Sequence, residues 1–343
     1  MRRFIANLVM SMGLVMSMGL VAAPALAEEL NIYSSRHYPS DEILFGKFKE
    51  QTGIEVKLLQ GKAPELVERI RNEGANSPAD IFITTDAANL WRAQDAGLFQ
   101  PVTSDRLKAA IPAQFHEPSG LWYAFATRAR VLVYSKERVK PGDLSTYEAL
   151  TGPAWKGRIV SRSSGNEYVQ SMTAGLIAHW GEDKTEAWAK GIVANFARPP
   201  QGGDTDQIKA VAAGAADVAI VNHYYFARLA ASDKPEDKAI VEKVALFFPD
   251  QDGFGTHTNV SGAGVLAHAP HKDAAIKFLD YLASPEAQAI FAEANNEFPI
   301  LDGVAPASVV QQFGPFKRDG LPIAKLGENN AAAVKLLDRA GWQ

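Results

Sequence analysis

From Glu29 onward, short apolar runs alternate with longer amphipathic stretches, and this alternation constrains the fold more than any single motif. ELNIYSS is β-rich. SDEILFGKFKEQTG reads as a helix, with Ser40 as N-cap, Asp41 and Glu42 in the first turn where the helix dipole favours negative charge, and Gly53 as its stop. IEVKLLQG and ADIFITT follow as strands, with APELVERIRNEGANSP and DAANLWRAQDAG as helices. Further along, WYAFATRARVLVYS, GRIVSR and ADVAIVN read as strands. EYVQSMTAGLIAHWG, DTDQIKAVAAG and one long segment, KDAAIKFLDYLASPEAQAIFAEAN, read as helices, and the turn-rich LSTYEALTGPAWKG is expected to link a helix to a strand. Such alternation predicts parallel β-α-β units and an α/β fold whose sheets are covered on both faces. No long linker or charge block separates two autonomous domains. Two lobes are therefore predicted, with the chain crossing near Tyr123 to Arg130 and returning near Gly253 to Gly262. The expected division is 28–125 plus 254–305 in one lobe and 126–253 plus 306–343 in the other.

The first residues set the compartment. Arg2 and Arg3 precede an apolar run from Phe4 to Val21 and then Ala25-Leu26-Ala27, the order of a secretory signal peptide cleaved after Ala27. An uncleaved anchor is the rival reading, but a run ending in A-L-A fits export better than spanning. The general secretory route is favoured over the twin-arginine route, because Phe4 follows the arginine pair directly. Cleavage leaves 316 of the 343 residues, enough for two sizeable cores, and loss of Arg2 and Arg3 takes the formal charge from −4 to −6. A mildly acidic, mixed surface offers no basic footprint for nucleic acid. There is no cysteine, so no disulfide staples the fold and no lipid-bearing cysteine anchors it. An exported, unanchored protein held by its cores is expected in the periplasm, retained by an outer membrane.

Four of the nine tyrosines occupy one kind of place. Tyr38 lies between a strand and a helix. Tyr168 follows GRIVSR and the loop SSGNE at a helix start, and Tyr224 and Tyr225 follow ADVAIVN just before FARLAAS. Ligands of open α/β sheets gather outside the carboxyl ends of strands, so three segments send phenols to where a ligand would sit. His37 adjoins Tyr38. Phenolate is a hard oxygen donor, and a free phenol titrates near pH ~10. Several ionise together at neutral pH only beside a strong positive charge; ferric iron supplies it, with release of protons. Arg128 and Arg36 are candidates to hydrogen-bond a phenolate or a bound anion. Each residue also has a plainer reading. A tyrosine after a strand commonly packs with its hydroxyl satisfied, an adjacent pair can be an aromatic platform, His37 or His223 can cap or pack, and Arg128 can serve a surface salt bridge.

At these residues the chain resembles the periplasmic ferric-iron-binding proteins of ABC importers, in the group with an N-terminal His-Tyr pair. The matching pieces are IYSSRHYPSDE, DIFITTD, TRARVLVYSKERV, SRSSGNEYVQSM, GDTDQIKAVAAGAADVAIVNHYYFARL, FFPDQDGFGTHTNVSGAGV and ANNEFPI, in order along the chain. The resemblance implies a two-lobed periplasmic binding protein fold of type II, of the same class as transferrin lobes, with hinge strands. It implies Tyr38, Tyr168, Tyr224 and Tyr225 as ligands of Fe3+, His37 as a candidate fifth, and Arg128 supporting the site without touching the ion. A synergistic anion such as carbonate or citrate, and delivery to an inner-membrane ABC permease and its ATPase by a monomer, belong to the same expectation. Glu167, an acid directly before Tyr168, departs from what a negatively charged site invites. Three rival readings remain at this point: a same-fold binder of a sugar, thiamine or an oxyanion, a secreted hydrolase or other enzyme, and a structural or adhesive protein. The chain carries no nucleophile elbow, zinc H-E-x-x-H or phosphate-binding P-loop. A structural or adhesive role would predict no small-molecule affinity.

Overall fold

The computed structural model describes residues 28–36, 38 and 40–343. The leader segment with its expected cleavage after Ala27, and His37, lie outside the described residues. The first half runs β1 Glu29–Ser34, α1 Ser40–Thr52, β2 Glu55–Gln60, α2 Ala63–Glu73, β3 Ile81–Thr84, α3 Ala87–Asp95, α4 Asp105–Ala110 and β4 Tyr123–Ser135. It continues with β5 Ile159–Val160, α5 Glu167–Trp180, α6 Glu182–Ala194, α7 Asp204–Ala212, β6 Val218–Asn222, α8 His223–Ala230, α9 Pro235–Lys243 and β7 Val244–Phe247. The last part holds β8 Thr258–Val265, α10 Lys272–Leu282, α11 Pro285–Asn295, β9 Phe298–Pro299, α12 Ser308–Gln311, α13 Ala324–Glu328 and α14 Asn330–Arg339.

The strands run in the order β2-β1-β3-β8-β4-β6-β5, with β7 and β9 also pairing β4. The pivot is β4, buried over its whole length. Tyr123 to Ala129 pair β8, whereas Arg130 to Tyr134 pair β6. One strand thus serves two sheets, and the two lobes meet along it. One core cluster gathers Leu30, Phe48, Phe82, Trp122 and Phe278; two others, built around Trp155 and Trp188 and around Val131 and Phe226, pack in the second lobe. The helix α13 lies between α3 and α5, with Leu326 in the first core and Gly327 pressed against Trp91 so closely that a Cβ there has no room.

Four expectations need correction. The pairs β1–β2, β1–β3 and β5–β6 are parallel, but β8 runs antiparallel to β3, and β4 runs antiparallel to its neighbours β6, β7, β8 and β9. A strand that arrives from the other lobe is free of the β-α-β connection that enforces parallel pairing. The long C-terminal helical segment is two helices, because Ser284 accepts from the Ala287 N–H as an N-cap and Pro285 takes the first turn. Ser40 opens α1 but gives its hydroxyl to Asn295 Oδ1 at 2.7 Å, across to α11. In addition, the turn-rich stretch near Tyr147 joins strand β4 to strand β5 rather than a helix to a strand.

Candidate functional site

The four tyrosines converge. Each sits where the chain leaves a strand or loop for a helix: Tyr38 just ahead of α1, Tyr168 second in α5, and Tyr224 and Tyr225 second and third in α8. Asn166 caps α5 by accepting the Tyr168 N–H at 3.1 Å. Helix N-termini carry partial positive charge, which favours anionic groups among them. The Tyr224 hydroxyl donates to the Tyr168 hydroxyl at 3.3 Å, and Tyr38 shares a side-chain hydrogen bond with Tyr224. The Tyr224 and Tyr225 rings lie 4.3 Å apart. Tyr38, Tyr168 and Tyr224 are buried and Tyr225 half-buried.

Burial pushes the Tyr168 and Tyr224 phenols well above their ordinary value, their neighbouring phenols add to this, and Arg128 pulls the other way. Tyr38 is likewise raised, by burial and then by Glu297, against Arg128, Arg36 and its hydrogen bond with Tyr224. The arginines form the floor. Arg36 grips Asp41 with Nε and Nη2, the latter at 2.9 Å, and stands 4.8 Å from the Tyr38 ring centroid. Arg128 donates to the Thr85 carbonyl and to Ser261 Oγ at 3.4 Å. Glu297 lies between the two guanidiniums, 3.8 Å from Arg36 and 3.6 Å from Arg128. Burial opposes the charge on Arg128, yet Glu297 and the phenols of Tyr38, Tyr168 and Tyr224 outweigh it and hold the group protonated. Its Nε has no hydrogen-bond partner among the described residues.

Some participants were not visible from spacing. Arg228, exposed on α8, stands 5.5, 4.9 and 5.7 Å from the rings of Tyr38, Tyr224 and Tyr225, a spread that follows from its place one turn beyond the pair. Arg162 lies 5.4 Å from the Tyr168 ring. Glu297 gave no signal beyond its place in ANNEFPI. The departure at Glu167 has a physical account: its carboxyl crosses to the other lobe, accepting from Thr85 Oγ1 and Asn89 Nδ2, each at 3.3 Å. Burial, then Asp86, lift it to about 7. His223 packs, as its plainer reading had it: Nδ1 accepts the Ala129 N–H at 3.1 Å and Nε2 meets the Asn296 carbonyl at 2.8 Å. Burial depresses it to about 3, so the ring is neutral. A cavity of 830 Å³ opens between the lobes, lined by Arg36, Thr85, Asn89, Arg92, Asn166 and Gln170 among others; it reaches the site through Arg36 and Glu167, and none of the four tyrosines lines it.

A fold of two lobes joined by shared strands, with polar groups meeting between them, defines a binding protein. The chain belongs to the bacterial extracellular solute-binding proteins, whose family pattern matches residues 44–316. It is 50% identical over 338 residues to "Iron uptake protein A1" of Synechocystis, covering 98% of this chain and 94% of that one. A solved Trichodesmium structure, IdiA (FutA) in complex with iron and citrate ligands, is 55% identical with a TM-score of 0.88, over 92% of this chain and 100% of the other. The Mannheimia haemolytica ferric iron-binding protein A, solved in an open conformation, is 38% identical with a TM-score of 0.85, over 92% and 99%. The two-lobed α/β expectation therefore holds.

Proposed function

We propose that this protein captures ferric iron between its lobes through the phenolates of Tyr38, Tyr168, Tyr224 and Tyr225, with His37 as a candidate further ligand, and delivers it to an inner-membrane ABC permease driven by its ATPase. The observation that carries the reading is the convergence of four phenols from three separate segments onto one interlobe point, above two buried arginines. Relatives that bear the names of iron-uptake and ferric-binding proteins support it. The lobes are taken as 28–125 plus 254–305 and 126–253 plus 306–343, and the mature protein as periplasmic after cleavage behind Ala27.

Capture follows from the layout. Tyr168, Tyr224 and Tyr225 belong to one lobe and receive the ion first. Closure brings Tyr38 over it and removes water, which strengthens every charge interaction inside. Each phenol that ligates loses a proton, and the trivalent ion supplies the charge that offsets the cost of ionising it. The arginines Arg36 and Arg128 then face phenolates instead of phenols, which favours the loaded state. The 830 Å³ interlobe cavity, which Arg36 lines, leaves room for a small carboxylate such as citrate, or for carbonate, to accompany the ion. Acid or reduction favours release, because protons compete for phenolate and a ferrous ion attracts it less.

The test is to strip the purified mature protein of metal, add ferric citrate and record the visible spectrum. A red-orange phenolate-to-iron charge-transfer band, lost in the Tyr224→Phe, Tyr225→Phe double variant, is expected. Absence of any band, with no thermal stabilisation by iron, would leave an organic-solute binder of the same fold.

A further inference from the structure

The residue just before the tyrosine pair occupies a junction that the ferric reading leaves without a role. The ladder between β4 and β6 ends at Arg130 opposite Asn222, where the chain turns into α8. The next β4 residue towards the amino terminus, Ala129, would then lack a partner on this side. The His223 ring supplies it, Nδ1 accepting the Ala129 N–H at 3.1 Å. With Nδ1 an acceptor, the proton sits on Nε2 and is donated to the Asn296 carbonyl at 2.8 Å. The ring stacks on Phe298 at 4.3 Å and meets Tyr224 edge-on at 5.9 Å. Asn296 ends α11 in the left-handed conformation, φ 58°, and the residue after it is Glu297, which holds Arg36 and Arg128.

We infer that His223 is a positioning residue: its imidazole ties the first turn of α8 to β4 on one side and to the Asn296–Glu297 turn on the other, and so sets where Tyr224 and Tyr225 stand relative to Arg36 and Arg128. The inference rests on the ferric reading above. Both ring nitrogens are spent on backbone groups, so His223 holds the pair without touching the ion. Loss of the ring's polar atoms leaves a buried N–H and a buried carbonyl unpaired, and the helix start that carries both tyrosines can then shift. A displacement of a few tenths of an ångström alters iron–oxygen overlap, which a charge-transfer band reads directly.

The experiment compares wild type with His223→Phe, which keeps a ring and loses both hydrogen bonds, and His223→Gln, which offers an acceptor oxygen and a donor N–H. Ferric affinity is measured by competition with citrate, alongside the visible spectrum. His223→Phe is expected to weaken binding by about tenfold or more and to move the band maximum, with His223→Gln recovering most of both. If His223→Phe binds and absorbs as wild type does, whatever its melting temperature, the inference fails; it fails equally if the Gln variant recovers nothing. A wild-type protein with no band removes the ferric reading and this inference with it. A wild-type band with an unaltered Phe variant removes the inference alone. Should the Phe variant not fold, nitrogen–proton correlation spectra of iron-free wild type decide: Nε2 protonated and Nδ1 accepting is expected, and the opposite tautomer overturns the anchoring.

Discussion

Tyr168 and Tyr224 are costly to ionise where they stand, since burial holds both far above the ordinary phenol value. At neutral pH both are therefore protonated until a cation arrives. Ferric loading of unbuffered protein should release about one proton per ligating phenol, measured by pH-stat titration, and apparent affinity should fall as pH falls. Loading without proton release would exclude phenolate ligation. The buried histidines make a second pH-dependent term. His223 and His257 are each depressed to about 3 by burial, so between that value and the unfolded 6.5 the unfolded chain binds more protons. Each therefore stabilises the fold above pH 6.5 and loses about 1.4 kcal/mol per pH unit below it. Glu167 and Asp250, raised to about 7 and 6, act with the opposite sign over much of the same range and mask the effect. Comparing His223→Gln with wild type in urea isolates it: the stability of wild type relative to the variant should fall by about 1.4 kcal/mol per unit from pH 6.5 to 4.5, whichever of the two is the more stable at the start. Parallel curves would place the histidine's titration elsewhere. The tyrosines themselves were legible in the sequence, because each adjoins a junction that alternation alone locates. Arg228 was not, since its relation to the pair depends on where α8 begins, and Glu297 reaches its arginines only through tertiary packing.

At the scale of elements, the crossing between lobes is closed by a side chain. The β4–β8 ladder ends with Ala129 opposite Thr258, and one further backbone bond follows, from the Arg130 N–H to the His257 carbonyl at 2.9 Å. Tyr147, fully buried, then donates its hydroxyl to the Arg130 carbonyl at 2.5 Å and accepts the His257 N–H at 3.2 Å. It stands in for a rung that the diverging strands no longer make. Tyr147→Phe strands one carbonyl and one N–H in the interior and should cost about 1–3 kcal/mol, read as a lower melting temperature of the iron-free protein. An unchanged melting curve would mean that water or a small backbone shift satisfies both groups. Nothing in LSTYEALTGPAWKG announced this role; the segment reads as turns, and the partners lie 17 and 110 residues away. The break between α10 and α11 passed unread, although Ser284-Pro285-Glu286 is a helix start written inside the apolar run expected as one helix. The antiparallel set of β4 and β8 was not legible, because periodicity carries no direction.

For the whole molecule, the question is what holds the lobes together around a cargo. Two helix starts face each other beside the tyrosines, and each sends an acid to the opposite lobe. Asp86 caps α3 through the Ala88 N–H at 2.7 Å and also accepts the Ser171 hydroxyl at 2.5 Å. Glu167 on α5 accepts from Thr85 and Asn89. Arg92 adds a bond to Asn330 at 2.6 Å. On the hinge closure proposed above, these contacts form only in the shut arrangement, and their energy bears on that state alone. Alternation and the absence of a linker made two lobes legible, but not this clasp, whose members are ordinary polar residues far apart in sequence. The Asn89→Ala, Ser171→Ala double variant removes two of its hydrogen bonds and leaves every tyrosine in place. At about 1 kcal/mol each, it should speed iron loss to an excess of chelator by roughly ten- to thirtyfold, with the charge-transfer band unchanged. Small-angle scattering of the iron-free variant should show a larger radius than wild type. Unaltered release with an unaltered band would mean that closure is carried by the ion's own bonds to Tyr38, and that the clasp merely follows.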